Sequence, residues 1–476
     1  MLFNSWSFIP FLIAFFVGYW FVFKRNVKLQ NAFIAICSFI FYGLWDMRFL
    51  FLLWLSLIVD FGVGYFLERT NAPAKRKALI GFSIIFNLGL LIFFKYFNFF
   101  SESAKNFLSL FGFQADFVTL HLVLPIGISF YTFQSLSYTI EVYKRKLNGT
   151  NDFIAYAAFI GFFPQLVAGP IERAANMLPQ FYKPRRFDYQ RNVQGLQLIL
   201  WGLFKKVVVA DSCAKLANNA FDNYPTHDGS YLLFGAFYFA FQIYGDFSGY
   251  TDIARGLGKM FGFDLKINFM YPYFSRNIAE FWRRWHISLS SWFRDYLYIP
   301  IGGSLGSKGK TLRNTAIVFL ISGFWHGANW TFICWGALHG LYYVPLVAMN
   351  RHKIYSNTVA ENKVIPSLKE IAGMLGTFAL VVFAWIFFRS NTLHDAFGYI
   401  RGIFSYHKMD FPGKFDAFLV VIVMLAVDWV GRNNESALSA FVRNKPSWAR
   451  YSVYMLLGLW VYANFSGQNE FIYFRF

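Results

Sequence analysis

The chain has 476 residues; 57% are hydrophobic, 14% are charged, and the mean hydropathy is +0.39. A soluble fold of this length needs more charge to cover its surface, and a disordered chain carries far fewer aromatics than the 22% found here. The net charge of +19 falls between apolar runs, so it reads as loops facing anionic lipid rather than as a nucleic-acid footprint. Three separated cysteines, Cys37, Cys213 and Cys334, give neither a disulfide framework nor a metal-ligand spacing.

The first predicted span, roughly Phe3 to Phe23, is followed rather than preceded by Lys24, Arg25 and Lys28. A signal peptide has the opposite order, so this reads as an uncleaved helix with its N-terminus outside. Asn31–Trp45 and Phe49–Leu67 form a predicted hairpin around Asp46-Met47-Arg48, ending at the basic cluster Arg69, Lys75, Arg76 and Lys77. Ala78–Phe94 then runs outward and His121–Ile140 returns to Lys144-Arg145-Lys146, so basic clusters recur on every second turn.

Pro125-Ile126-Gly127, Pro164 and Gly169-Pro170 interrupt apolar sequence, as broken helices do where they line a protein-buried cavity. Asp264 to Arg313 is aromatic and basic but too polar to span; it is expected to form a cytoplasm-facing layer of amphipathic or re-entrant helices. Further spans are expected at Ile371–Phe388, Ala417–Val430 and Tyr451–Phe465, which leaves the C-terminal Phe471-Ile-Tyr-Phe-Arg-Phe476 outside. The predicted architecture is an all-α polytopic membrane protein of about eleven to thirteen crossings. Its parts are N-terminal helices (1–150), a central core of broken helices (151–350), and C-terminal helices with an extracytoplasmic tail (351–476).

Three histidines lie in apolar sequence. His326, in Ser322-Gly-Phe-Trp-His-Gly-Ala-Asn-Trp330, is a candidate catalytic residue, because an ionisable group at membrane depth is costly and burial favours the neutral, proton-accepting imidazole. Gly323 and Gly327 are expected to leave room for a ligand; the structural alternative is a buried histidine bonded to a carbonyl. His286 follows Asn277-Ile-Ala-Glu280, a capping-box pattern that starts a helix. Trp282, Trp285, Leu289, Trp292 and Tyr296 make one apolar stripe on it, with Arg283, His286 and Ser290 on another face. That helix either lies flat at the interface or presents Arg283 and Arg284 to an anionic donor. His339, thirteen residues past His326, sits on the opposite side if one helix carries both, and reads as structural. Asp246 and Asp252 beside glycine-broken sequence, and Asn329 beside the histidine motif, are candidates for a polar network lining a tunnel. No P-loop, nucleophile elbow, HExxH or dinucleotide fingerprint is present.

Trp282-Arg-Arg-Trp-His-Ile-Ser-Leu-Ser290, Arg294-Asp-Tyr-Leu-Tyr-Ile-Pro-Ile-Gly-Gly303 and Trp325-His-Gly327 resemble the membrane-bound O-acyltransferase family, in its bacterial alginate O-acetyltransferase branch. Phe163-Pro-Gln-Leu-Val-Ala-Gly-Pro-Ile171, Asp246-Phe-Ser-Gly-Tyr-Thr-Asp252 and the aromatic tail fit the same branch, so the resemblance covers nearly the whole chain.

The resemblance implies a helical bundle around a tunnel, with His326 catalytic and His286 a second active-site histidine. It also implies acetyl-CoA as donor substrate with no bound cofactor, a polysaccharide or cell-wall glycan as acceptor, and an extracytoplasmic SGNH-type acetyltransferase as partner in the bacterial inner membrane. Tyr473 in the tail is the implied acyl relay, with interfacial anchoring as the alternative. A D-alanyl or longer-chain transferase of the same fold is the enzyme alternative. A proton-coupled transporter using His326 as a relay is the non-enzyme one.

Overall fold

The computed structural model describes residues 1–113, 123–361, 363–405, 416–466 and 471–472; these form helices and turns, with no strand among them. Among the described residues, five helices are long and apolar enough to cross a membrane: Met47–Arg69, Pro73–Ser109, Tyr189–Asp222, Trp330–Ala348 and Leu368–Arg389. Phe8–Val22 and Val27–Gly43 are shorter apolar helices. Other helices of the chain do not qualify by length and composition alone. Asp416–Gly431 has only 16 residues, and the 32-residue Gly229–Met260 helix carries Asp246, Asp252 and Arg255. Helix starts follow local chemistry: the side chains of Asn26, Asp46, Ser307 and Ser367 accept first-turn N–H groups, and Pro73 opens its helix where no donor is needed.

The chain forms two compact units, Met1–Val193 with Leu257–Leu265, and Gln194–Gly256 with Lys266–Phe476. In the first, Met47–Arg69, Pro73–Leu91 and Ile128–Tyr143 pack on one another. Their buried polar groups satisfy each other: Ser83 Oγ donates to Asp60 Oδ1 at 2.6 Å and Asn87 Nδ2 to Asp60 Oδ2 at 2.9 Å. Apolar side chains such as Phe51, Phe66 and Ile85 point outward on these helices, as lipid contact requires. The interruptions read from the sequence are real: Gly127 adopts φ 76° to start the Ile128–Tyr143 helix, and Phe163–Leu166 is a single turn.

In the second unit, Gly327-Ala328-Asn329 turns the chain between the Lys308–His326 and Trp330–Ala348 helices, which pack closely along their length. Their backbones meet at Gly323 and Gly336. A Cβ on Gly336 would lie 2.5 Å from the Phe319 carbonyl oxygen, and one on Gly323 would strike that of Phe332. The Phe332 ring fills the space beside Gly327. These two glycines therefore serve helix packing rather than the ligand space expected of them. Small residues at such crossings let membrane helices approach.

Asp264–Ser307 holds only short helices, including Ile278–Arg284 and Ile287–Phe293, and the long Lys308–His326 helix begins at its end. Asn277 caps the first, accepting from Glu280 N at 2.8 Å. The return half of the expected capping box is replaced by ion pairs from Glu280 to Arg276 and Arg284, each at 3.0 Å. The continuous amphipathic helix expected through Tyr296 is broken at Trp285-His286, so its stripes do not run on one rod.

Candidate active site

His326 ends the Lys308–His326 helix and is 4% exposed. Its ring packs against Trp325, Trp335 and Phe388 at centroid distances of 4.9, 5.0 and 5.4 Å. Trp325 also meets His286, at 6.3 Å, so one indole touches both predicted histidines. His339 is likewise near: it packs on Trp335 at 4.9 Å and accepts at Nδ1 from Trp282 Nε1 at 3.2 Å. The opposite-side argument assumed one helix; the turn after His326 puts the two histidines on adjacent antiparallel helices sharing Trp335.

His286 is fully buried and adopts φ 43°, ψ 53°, a left-handed conformation that costs a non-glycine residue about 1–3 kcal/mol. Asn268 holds it there. His286 Nδ1 lies 3.1 Å from Asn268 Oδ1, which also accepts from Ser288 N at 3.2 Å and Ser288 Oγ at 2.9 Å. Ile287 N donates to the Asn268 carbonyl at 2.9 Å. An amide oxygen fixes Nδ1 as the protonated nitrogen and leaves Nε2 with the lone pair. His286 lies outside the five spans, and burial pulls its pKa down to about 3, so it is neutral at physiological pH.

No local signal marks Asn268, eighteen residues before its partner. Asn268→Ala should lower kcat about a hundredfold with little change in donor KM, the scale of a small misplacement in an active site. Asn268→Asp should recover part of the loss by restoring the acceptor. Unchanged kcat in Asn268→Ala, at matched membrane levels, would remove Asn268 from the machinery.

The other predicted residues fall into three groups. Asp246 Oδ1 pairs with Lys206 Nζ at 2.5 Å, and its Oδ2 accepts from Ile472 N at 2.6 Å. Asp252 pairs with Lys205 at 2.7 Å and lies 3.7 Å from Arg255. Lys205 and Lys206, in the π-helical turn Phe204–Ala210, complete this buried ionic cluster; two lysines inside an apolar run were the available signal. Asn329 caps the Trp330–Ala348 helix through Thr331 N at 3.1 Å and donates to Asn391 O at 2.7 Å. Arg284 bonds Glu280 Oε1 and the Met270 carbonyl, whereas Arg283 is exposed and donates to the carbonyls of His352 and Tyr355 at 2.7 and 2.6 Å. Tyr473 lies outside the described residues, as do His121 and His407.

A buried, neutral imidazole such as that of His286, in an apolar helical membrane protein, is suited to taking a proton from a hydroxyl. Residues 86–369 match the model of MBOAT, the membrane-bound O-acyltransferase family, and the chain belongs to that family. It is an O-acyltransferase, which removes the transporter alternative.

It is similar to the probable alginate O-acetylase AlgI of Pseudomonas aeruginosa, 39% identical over 85% of this chain and 75% of that one. It is also similar to the peptidoglycan O-acetyltransferase of Helicobacter pylori, 34% identical over 100% of this chain and 98% of that one. Similarity to the teichoic acid D-alanyltransferase of Streptococcus thermophilus is 28%, over 58% of this chain and 71% of that one.

Proposed function

We propose that this protein takes an acetyl group from cytosolic acetyl-CoA and passes it across the membrane for O-acetylation of an exopolysaccharide or cell-wall glycan. The observation that carries the reading is the pair of buried histidines on Trp325, in a chain similar over most of its length to two O-acetyltransferases. His326 acts as base, with His286 beside it. Tyr473 receives the acetyl group and delivers it to an extracytoplasmic SGNH-type partner. The spacing of basic clusters supports an inner-membrane orientation with both termini extracytoplasmic. Shorter and weaker similarity to a D-alanyltransferase favours acetyl over alanyl transfer.

The test is the mass of secreted polysaccharide and of peptidoglycan from cells with and without the gene. Loss of one acetyl group per modified sugar in either polymer identifies the acceptor. Unchanged masses in both, with D-alanine lost from the envelope, would overturn acetyl transfer.

Arg283 and Arg284 are assigned to the donor's entrance. Arg284 is held by buried Glu280, so Arg283 is the arginine exposed to a phosphate. Arg283→Glu should raise the KM for acetyl-CoA about tenfold with kcat nearly unchanged, the scale of one charge-assisted hydrogen bond. Unaltered KM would restrict Arg283 to tying its helix to the His352–Tyr355 loop.

A further inference from the structure

The first unit contains a cavity of about 640 Å³ that none of the chemistry above uses. The segment Gln180–Arg191 forms most of its wall, with Gly262 and Asp264 completing it. Four cations line it, Lys183, Arg185, Arg186 and Arg191, against two carboxylates, Asp188 and Asp264. Both carboxylates have partners already. Asp264 pairs with Arg191 at 2.7 Å, and Asp188 Oδ1 accepts from Arg191 N at 2.9 Å at the start of the Tyr189–Leu203 helix. Lys183 and Arg186 are exposed and make no ion pair or hydrogen bond among the described residues.

Arg185 is the built part of the wall. It is 8% exposed, and its guanidinium is oriented on two sides: Nε donates to Gln30 Oε1 at 2.9 Å and Nη2 to Asn31 Oδ1 at 2.7 Å. Those amides are themselves fixed, since Gln30 Nε2 donates to the Tyr19 carbonyl at 3.1 Å and Asn31 Nδ2 to that of Phe181 at 2.8 Å. The Phe263 ring lies 5.0 Å from the guanidinium carbon. Neither amide brings negative charge, and Nη1 is buried with no partner among the described residues. A fixed, buried guanidinium with an unanswered donor is costly, and an anion offsets that cost. Phe187 and Tyr189, both exposed, give the rim apolar surface.

We propose that the cavity walled by Lys183, Arg185, Arg186 and Arg191 binds a phosphate-bearing anion. Guanidinium groups pair with phosphate in fork geometry, and three cations without carboxylate partners suit a phosphate carrying more than one negative charge or flanked by apolar atoms. Two sources share that chemistry: the phosphates of a free nucleotide, and the headgroup of an anionic phospholipid against which the aromatic rim inserts. The site stands independently of the acyl-transfer reading.

The experiment uses the full chain in nanodiscs of phosphatidylcholine, titrated calorimetrically with adenosine 3′,5′-bisphosphate. In parallel, native mass spectrometry of detergent-purified protein is given equal phosphatidylglycerol and phosphatidylcholine. The test variants are Lys183→Ala with Arg186→Ala, whose exposed side chains carry no contacts, and Arg185→Lys. Nucleotide binding that falls about tenfold in both, with a shallower salt dependence, assigns the site to a free nucleotide. Selective retention of phosphatidylglycerol that both variants lose assigns it to a lipid headgroup. If wild-type protein prefers neither probe, or the surface double variant binds as wild type does, the proposal is overturned.

Discussion

Replacing His326 by alanine will abolish acetylation of the glycan while leaving the protein in the membrane. The ring is buried among Trp325, Trp335 and Phe388. Transfer to an oxygen acceptor requires that the hydroxyl lose its proton as its oxygen attacks the thioester carbonyl. The tetrahedral intermediate then expels the thiolate, which takes a proton back. A positioned base is worth about 10²–10⁴-fold, and loss of alignment adds to it. Alanine also opens a cavity among three aromatic rings, so His326→Gln serves as the filled control. Both variants should be inactive with normal amounts in the membrane fraction; the thermal midpoint in detergent should be unchanged in His326→Gln and lowered in His326→Ala by the cavity. Wild-type acetylation by either would dismiss His326 as the base.

Much of this site was legible because it is written locally. The apolar runs, the basic clusters after alternate segments, the cap at Asn277 and the glycine and proline breaks all announce themselves within a few residues. The burial of His326 was legible because the residues on either side of it are apolar. What escaped was set by tertiary contact. The aromatic period runs unbroken through Trp282, Trp285, Leu289 and Trp292, so nothing local announces that His286 is left-handed; Asn268 imposes that from a distant segment. Likewise, Gly323 looks like room for a ligand until Gly336 on the next helix is seen against it. Lys205 and Lys206 look like ordinary cations until Asp252 and Asp246 are brought to them. Helices that length and hydropathy alone do not single out follow the same rule. A helix such as Gly229–Met260 tolerates its charges because they pair inside the protein, and hydropathy sees only the charges.

Tyr473→Phe is expected to stop glycan acetylation as completely as loss of His326, through a different step. On the proposed reading the acetyl donor is cytosolic and the acceptor glycan outside, and a group on the protein carries the acetyl between them. Residues 471–472, just before Tyr473 in sequence, are held near His286. Ile472 N donates to Asp246, which is paired with Lys206, and Phe471 packs on Phe247 and Tyr250 at 5.6 and 5.1 Å. The Phe247 ring is itself 4.7 Å from His286. In the proposed step His326 takes the phenolic proton, the phenolate oxygen bonds to the acetyl carbon, and the carbon–sulfur bond breaks. The aryl ester is a better donor than an alkyl ester and yields its acetyl to the partner's serine. Phenylalanine keeps the anchoring ring and lacks only the nucleophile, so loss of activity in Tyr473→Phe cannot come from loss of anchoring. Asp246→Asn, which weakens the tether through Lys206 while sparing the phenol, should give a partial loss. Normal glycan acetylation in Tyr473→Phe would end the relay and leave the tail as an anchor.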